Sequence, residues 1–173
     1  MDLEAEFKAV SEDVRHATKT ASESLTKAGI RHALVGGLAV GAYARPRATL
    51  DVDFLVGNDA FVQHPGGIVT HRPDVPVQVG GIAIDLLSEP GESGSVQHAL
   101  SNSTISAGVP VAPVESLVLL KLRSPRIQDS ADVVAIIKSG ADVNLLRRHL
   151  QTFEPALIGR LDDLAHRAEN EPN

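Results

Sequence analysis

Apolar residues recur at three- and four-residue intervals near the start of the chain, with charged residues between them. Over residues 3–28 this spacing predicts one amphipathic helix. A short apolar strand is expected over residues 32–35, and a glycine pair separates it from a small-residue helix over residues 38–44. The local plan is therefore a strand, a glycine turn and a helix.

The middle of the chain contains short apolar runs that are typical of strands. Strands are predicted over residues 50–56 and, as one strand or two, over residues 77–87. The stretch 57–75 between them is rich in Gly, Pro, His and Asp, and is interpreted as a loop that encloses one strand near residues 67–70. Two further strand candidates follow at residues 103–107 and 109–111.

Helical patterns dominate the second half of the chain. The predicted helices cover residues 93–100, 113–122, 127–139, 142–150 and 155–168. Strands early and helices late predict an α+β fold, with a small mixed β-sheet flanked by helices and further helices at the C-terminus. We expect residues 1–168 to form a single domain and residues 169–173 to form a flexible tail.

Composition narrows the class of protein. The chain has 173 residues, of which 43% are apolar, enough for one domain with its own core. It has no Cys and its seven His show no spacing that suits zinc, so no zinc site is predicted. The sequence shows neither a signal-peptide pattern nor an apolar run of about 18 residues, so a cytoplasmic protein without a membrane span is expected. A net charge of −6 argues against broad coating of nucleic acid.

Two acidic residues lie within one predicted strand. Asp51 and Asp53 alternate with apolar residues, so both carboxylates are expected on one face, about 6.6 Å apart. Carboxylates in an apolar strand need a partner, and a divalent metal is one such partner. Asp85 lies in a later predicted strand, and pairing of the two strands would let all three acids share a metal cluster. The alternative is an edge strand whose acids face water.

The glycine pair Gly36–Gly37 lies between a predicted strand and a predicted helix. Residues without Cβ let a phosphate approach the backbone, and the start of the helix offers free N–H groups. Taken alone, the pair favours an ordinary tight turn. Followed by three acids in this order, it favours metal-assisted phosphoryl-group transfer.

This order of motifs resembles the DNA polymerase beta-like nucleotidyltransferase superfamily, which has a glycine pair, a helix, an Asp-x-Asp motif and a third acid on a later strand. The matching residues are Gly36, Gly37, Asp51, Asp53 and Asp85. The segment from Arg47 to Asp53 is similar to the Arg-x-Thr-x-Asp-x-Asp pattern of the AbiEii-toxin-like and aminoglycoside-nucleotidyltransferase-like group. The helical stretch 113–132 also resembles that group, although Gln128 stands where Lys is usual.

The resemblance implies a Mg²⁺-dependent nucleotidyltransferase that uses two Mg²⁺ ions. The residues expected to hold the metal and to act in catalysis are Asp51, Asp53 and Asp85. The residues expected to bind the nucleotide are Gly36, Gly37, Arg47, Thr49 and Lys121. For Arg47 and Lys121 the alternative is a solvated surface charge, and for Thr49 it is an ordinary strand position.

The implied reaction moves a nucleoside monophosphate from an NTP, such as ATP, to a hydroxyl on an RNA end, a protein or a small molecule. Because the chain is short, a partner protein or a second copy would complete the site. One alternative is a catalytically inactive protein of this fold that acts as a binding partner, as in toxin–antitoxin pairs. Another alternative is metal-dependent hydrolysis of a phosphate ester.

Overall fold

The computed structural model describes residues 1–46, 48–89 and 91–170, and these residues form helices packed around a sheet. The helices are α1 (Leu3–Ala9), α2 (Glu12–Lys27), α3 (Gly36–Tyr43), α4 (Gly94–Ser101), α5 (Val114–Arg123), α6 (Ile127–Lys138), α7 (Val143–Phe153) and α8 (Ile158–Asn170). The strands are β1 (His32–Leu34), β2 (Val52–Val56), β3 (Phe61–Gln63), β4 (Val69–His71), β5 (Gln78–Val79), β6 (Ile82–Leu87), β7 (Thr104–Ser106) and β8 (Val109–Val111).

Six of these strands form one mixed sheet in the order β5-β6-β2-β1-β8-β7. β2 is parallel to β6 and antiparallel to β1, which is parallel to β8. β3 and β4 pair separately as a small antiparallel ribbon. Every residue of β1 and all but one of β2 are buried, as expected for central strands covered on both faces. The mixed sheet surrounded by helices confirms the predicted α+β fold.

The helices connect the sheet to a C-terminal bundle. α2 lies against five strands and buries one apolar face, and α3 and α4 also contact the central strands. α5 contacts α3, α4, α6 and α7, while α8 packs on α6 and α7. α5 therefore links the sheet to the later helices. Among the helices described, none combines the length and the apolar content that crossing a bilayer requires.

The structure differs from the sequence predictions at three places. The helix expected over residues 3–28 is two helices, because the backbone is extended at Val10 and Ser11. The Ser11 hydroxyl accepts a hydrogen bond from the Val14 N–H and caps α2. The loop expected over residues 57–75 contains two strands rather than one. At the C-terminus, α8 includes the first two residues of the expected tail, and residues 171–173 lie outside the described part of the chain.

Candidate active site

A pocket of about 770 Å³ is lined by β2, β6, the start of α3, and parts of α5 and α6. The predicted site residues that line it are Gly36, Gly37, Thr49, Asp51, Asp53, Asp85 and Lys121. Arg47 lies outside the described residues. All the other residues predicted for the site therefore line one pocket, although they come from elements far apart in the sequence.

Strand pairing places Asp53 beside Asp85. The parallel strands β2 and β6 make these two residues direct partners, and neighbouring strands lie about 4.8 Å apart. Asp51 immediately precedes β2 rather than lying within it, and it lines the same pocket. Burial, together with the nearby charges of Asp85 and Asp51, raises the pKa of Asp53. The pairing therefore creates a site of concentrated negative charge.

The start of α3 holds Asp53 in place. The Gly37 N–H donates a hydrogen bond to the Asp53 carboxylate, and the Val35 N–H donates to the Asp53 carbonyl oxygen at 2.9 Å. Gly36 has a φ of +65°, and a Cβ built there would lie 1.8 Å from Asp53 Oδ2. Both the backbone conformation and the nearby carboxylate therefore require glycine at position 36. The positive end of the α3 dipole also favours the charged form of Asp53.

Lys121 is buried rather than solvated. Only 8% of the residue is exposed, and its Nζ lies 2.6 Å from Asp129 Oδ1 and 2.9 Å from Asp132 Oδ2. Its positive charge also acts to lower the pKa of Asp53, which partly offsets burial and the neighbouring carboxylates. Lys121 therefore ties α5 to α6 at the wall of the pocket. Thr49 lies in the irregular segment before β2, not in a strand.

The sequence analysis assigned neither Arg126 nor its partner Asp129 to the site. Burial disfavours a charged Asp129, but hydrogen bonds from Lys121, Ser124 and Arg126 outweigh it and lower the pKa of Asp129 to about 2. Arg126 Nε lies 2.7 Å from Asp129 Oδ2, and 74% of the Arg126 side chain is exposed. The signal for this pair was the three-residue spacing of opposite charges at the start of a predicted helix.

The acids at this pocket differ in whether a cation neutralises them. Glu89 pairs with Arg123, and Asp129 pairs with Lys121 and Arg126. Within the described ranges, no Lys, Arg or His side chain lies within ion-pair distance of the three predicted aspartates. The pocket therefore presents acidic groups on β2 and β6 and one solvent-exposed arginine among its described residues.

The three aspartates are neighbours in the pocket but do not form one tight ligand set. In the described part of the chain, the only trio of His, Asp or Glu side chains with ligand atoms within 4.8 Å of one another is His98, Glu115 and His149. The spacing of these residues in the sequence did not indicate the trio, because its members lie on three different helices.

Comparison with known proteins supports the fold. No protein-family model matches the chain, and a search of curated proteins finds no match. The structure is similar to the crystal structure of an antigenic nucleotidyltransferase-like protein from Paracoccidioides brasiliensis. The TM-score is 0.51 at 18% sequence identity, and the match covers 94% of this chain and 95% of that chain. The likeness extends over nearly the whole of both proteins, and this chain has a nucleotidyltransferase-like fold.

Proposed function

We propose that this protein is a Mg²⁺-dependent nucleotidyltransferase that moves a nucleoside monophosphate from an NTP to a hydroxyl acceptor. The observation that carries the proposal is the parallel pairing of β2 and β6, which sets Asp53 beside Asp85. The same pocket contains Asp51 and the glycine start of α3. An acidic pocket with an exposed arginine suits a polyphosphate that arrives with its own cations.

The donor atoms at the three aspartates fit Mg²⁺. Carboxylate oxygens are ligands that Mg²⁺ prefers, and no described cation competes for them through an ion pair. The raised pKa of Asp53 reflects its burial first and the neighbouring carboxylates second, and a bound cation would favour its charged form. When bound, Mg²⁺ would neutralise phosphate charge and lower the pKa of the acceptor hydroxyl. The residues that would hold it are Asp51, Asp53 and Asp85.

The reaction forms one bond and breaks one. The acceptor hydroxyl oxygen bonds to the α-phosphorus of the NTP, and the bond from that phosphorus to the oxygen bridging to the β-phosphorus breaks. Pyrophosphate leaves with the bridging oxygen. Asp85 accepts the hydroxyl proton, since it is exposed to the pocket beside Asp53 and can reach an incoming acceptor.

Two cations have different roles in this proposal. Arg126 binds the triphosphate through its exposed guanidinium group, which suits phosphate oxygens. Lys121 is occupied by Asp129 and Asp132, so we assign it as a positioning residue. Lys121 anchors Asp129, which in turn holds the Arg126 side chain at the pocket.

Calorimetric titration of each NTP with Mg²⁺ tests the binding step. Wild type is expected to bind only when Mg²⁺ is present, and the Asp51→Asn/Asp53→Asn variant is expected to lose this binding. Asp162→Asn is the matched control, because Asp162 is an exposed acid on α8 that pairs with Arg147. If wild type binds no NTP with Mg²⁺, the transferase proposal is wrong and a partner-binding role, as in toxin–antitoxin pairs, is favoured instead.

Labelled NTP tests the transfer step. The protein is incubated with NTP labelled at the α-phosphate or at the γ-phosphate, and with pooled RNA, cell protein or aminoglycosides as acceptors. Nucleotidyl transfer moves the α-label to the acceptor and releases the γ-label in pyrophosphate. Transfer of the γ-label, or release of the α-label only as free nucleotide, would contradict the proposed reaction. The acceptor that takes up the α-label identifies the substrate class, and a requirement for added partner protein would identify a two-chain site.

A further inference from the structure

Three helices outside the aspartate pocket bring two histidines and a glutamate together. His98 lies on α4, Glu115 in the first turn of α5, and His149 on α7. One ligand atom from each residue lies within 4.8 Å of the other two. None of the three lines the aspartate pocket. We propose that His98, Glu115 and His149 form a zinc-binding site that clamps α4, α5 and α7 together.

One ring nitrogen of the buried His149 makes no hydrogen bond to any of the described residues. Only 6% of His149 is exposed, and its Nε2 is buried without a hydrogen-bond partner among the described residues. Leaving a buried polar atom unsatisfied is unfavourable. The hydrogen bond of 3.1 Å between His98 Nε2 and Glu115 Oε1 accounts for those two side chains but not for His149. A metal ion bound by all three residues accounts for the whole cluster.

The chemistry of the three donors suits Zn²⁺. Two imidazoles and one carboxylate, with a water in the fourth position, form a known type of zinc coordination. Zinc bonds of about 2.0–2.1 Å in a tetrahedral site place neighbouring donor atoms about 3.4 Å apart. The distance of 3.1 Å between His98 and Glu115 is already close to this spacing. The widest separation is up to 4.8 Å, so binding of an ion requires these donor atoms to move closer together.

The surroundings leave access for an ion while holding the histidines in place. The His98 side chain is 31% exposed and that of Glu115 is 13% exposed, so an ion can enter from the solvent side of His98. The Phe153 ring lies 4.8 Å from the His149 ring and 5.7 Å from the His98 ring, measured between centroids. A bound ion would therefore join three helices around an aromatic side chain.

Metal titration of the full chain tests this site. Protein freed of metal by a chelator is titrated with Zn²⁺ by calorimetry, and with Co²⁺ as a spectroscopic probe of tetrahedral coordination. We expect one Zn²⁺ per chain and visible Co²⁺ absorption that Zn²⁺ abolishes. The partly exposed ligands are substituted as His98→Gln and Glu115→Gln, since His149 is buried and its replacement endangers the fold. Each substitution is expected to weaken Zn²⁺ binding at least tenfold while circular dichroism stays unchanged.

Two controls separate this site from others. His166→Gln replaces an exposed histidine on α8 and should bind Zn²⁺ like wild type. The Asp51→Asn/Asp53→Asn variant should also keep Zn²⁺ binding, because these residues belong to the separate pocket. The site is refuted if wild type binds no stoichiometric Zn²⁺, if both ligand variants bind like wild type, or if either control loses binding. These outcomes do not depend on whether the protein transfers nucleotides.

Discussion

Replacing Gly36 by Ala tests whether Asp53 is held against the start of α3 as the structure shows. Gly36 has a φ of +65°, which costs a residue with a Cβ about 1–2 kcal/mol. The new Cβ would lie 1.8 Å from Asp53 Oδ2 and 2.8 Å from Asp53 Cβ. Rotation of the carboxylate can relieve the first contact but not the second. The backbone of β2 or α3 must therefore shift.

Gly29 provides a matched control for the backbone cost. Its φ is +71°, and no atom of the described residues lies within 4 Å of an added Cβ. We expect Gly29→Ala to reduce the free energy of unfolding by the backbone cost alone, about 1–2 kcal/mol. Overpacking against Asp53 adds about 1–3 kcal/mol, so Gly36→Ala should cost about 2–5 kcal/mol in total. The difference between the two variants measures the contact with Asp53.

Denaturant unfolding monitored by circular dichroism measures both free energies, and calorimetry measures binding of NTP with Mg²⁺. Gly36→Ala is expected to weaken that binding at least tenfold because Asp53 is displaced, while Gly29→Ala should bind like wild type. Equal destabilisation by the two substitutions would refute the close packing of Gly36 on Asp53. Unchanged NTP binding by Gly36→Ala would contradict the assignment of Asp53 to the nucleotide site.

Three further predictions concern charged residues. Asp53→Asn should raise the free energy of unfolding of the metal-free protein. Burial and the neighbouring carboxylates raise the pKa of Asp53, so its charged form is unfavourable in the folded protein. A lower free energy of unfolding for the variant would contradict this. Lys121→Met should lower the free energy of unfolding by about 3–5 kcal/mol, because it removes the buried cation that contacts both Asp129 and Asp132. Lys27→Met at an exposed position should change it by about 0.5 kcal/mol or less, and equal effects of the two substitutions would refute the buried ion pairs. Because Asp129 has its pKa lowered from 3.8 to about 2, it stabilises the fold above pH 4 and loses this effect as the pH falls toward 2. Denaturant unfolding from pH 6 to 2 should show the advantage of wild type over Asp129→Asn shrinking by about 2 kcal/mol, and a constant advantage would contradict the lowered pKa.

Local patterns in the sequence determined much of the fold and pointed to the pocket. Alternating apolar residues predicted β2 and β6, and acids within those runs marked Asp51, Asp53 and Asp85. The glycine pair predicted the boundary between β1 and α3. Ser11 and the two acidic residues after it are a local signal for the start of α2. The prediction of one continuous helix ignored this signal, because the apolar spacing continues across the break. Each of these patterns depends only on residues within one strand or one helical turn, so it can be recognised from the sequence alone.

Tertiary structure alone decided which side chains meet. The sequence left two interpretations of Lys121, a nucleotide-binding residue or a solvated surface charge. The packing of α5 on α6 instead buries it against Asp129 and Asp132. His98 and His149 have no informative spacing, and only the packing of α4 and α7 around α5 brings them to one glutamate. These pairings depend on which strands become neighbours and on how helices pack over the whole core. A short segment of sequence does not reveal which side chains become neighbours, because that depends on the contacts between distant parts of the chain taken together.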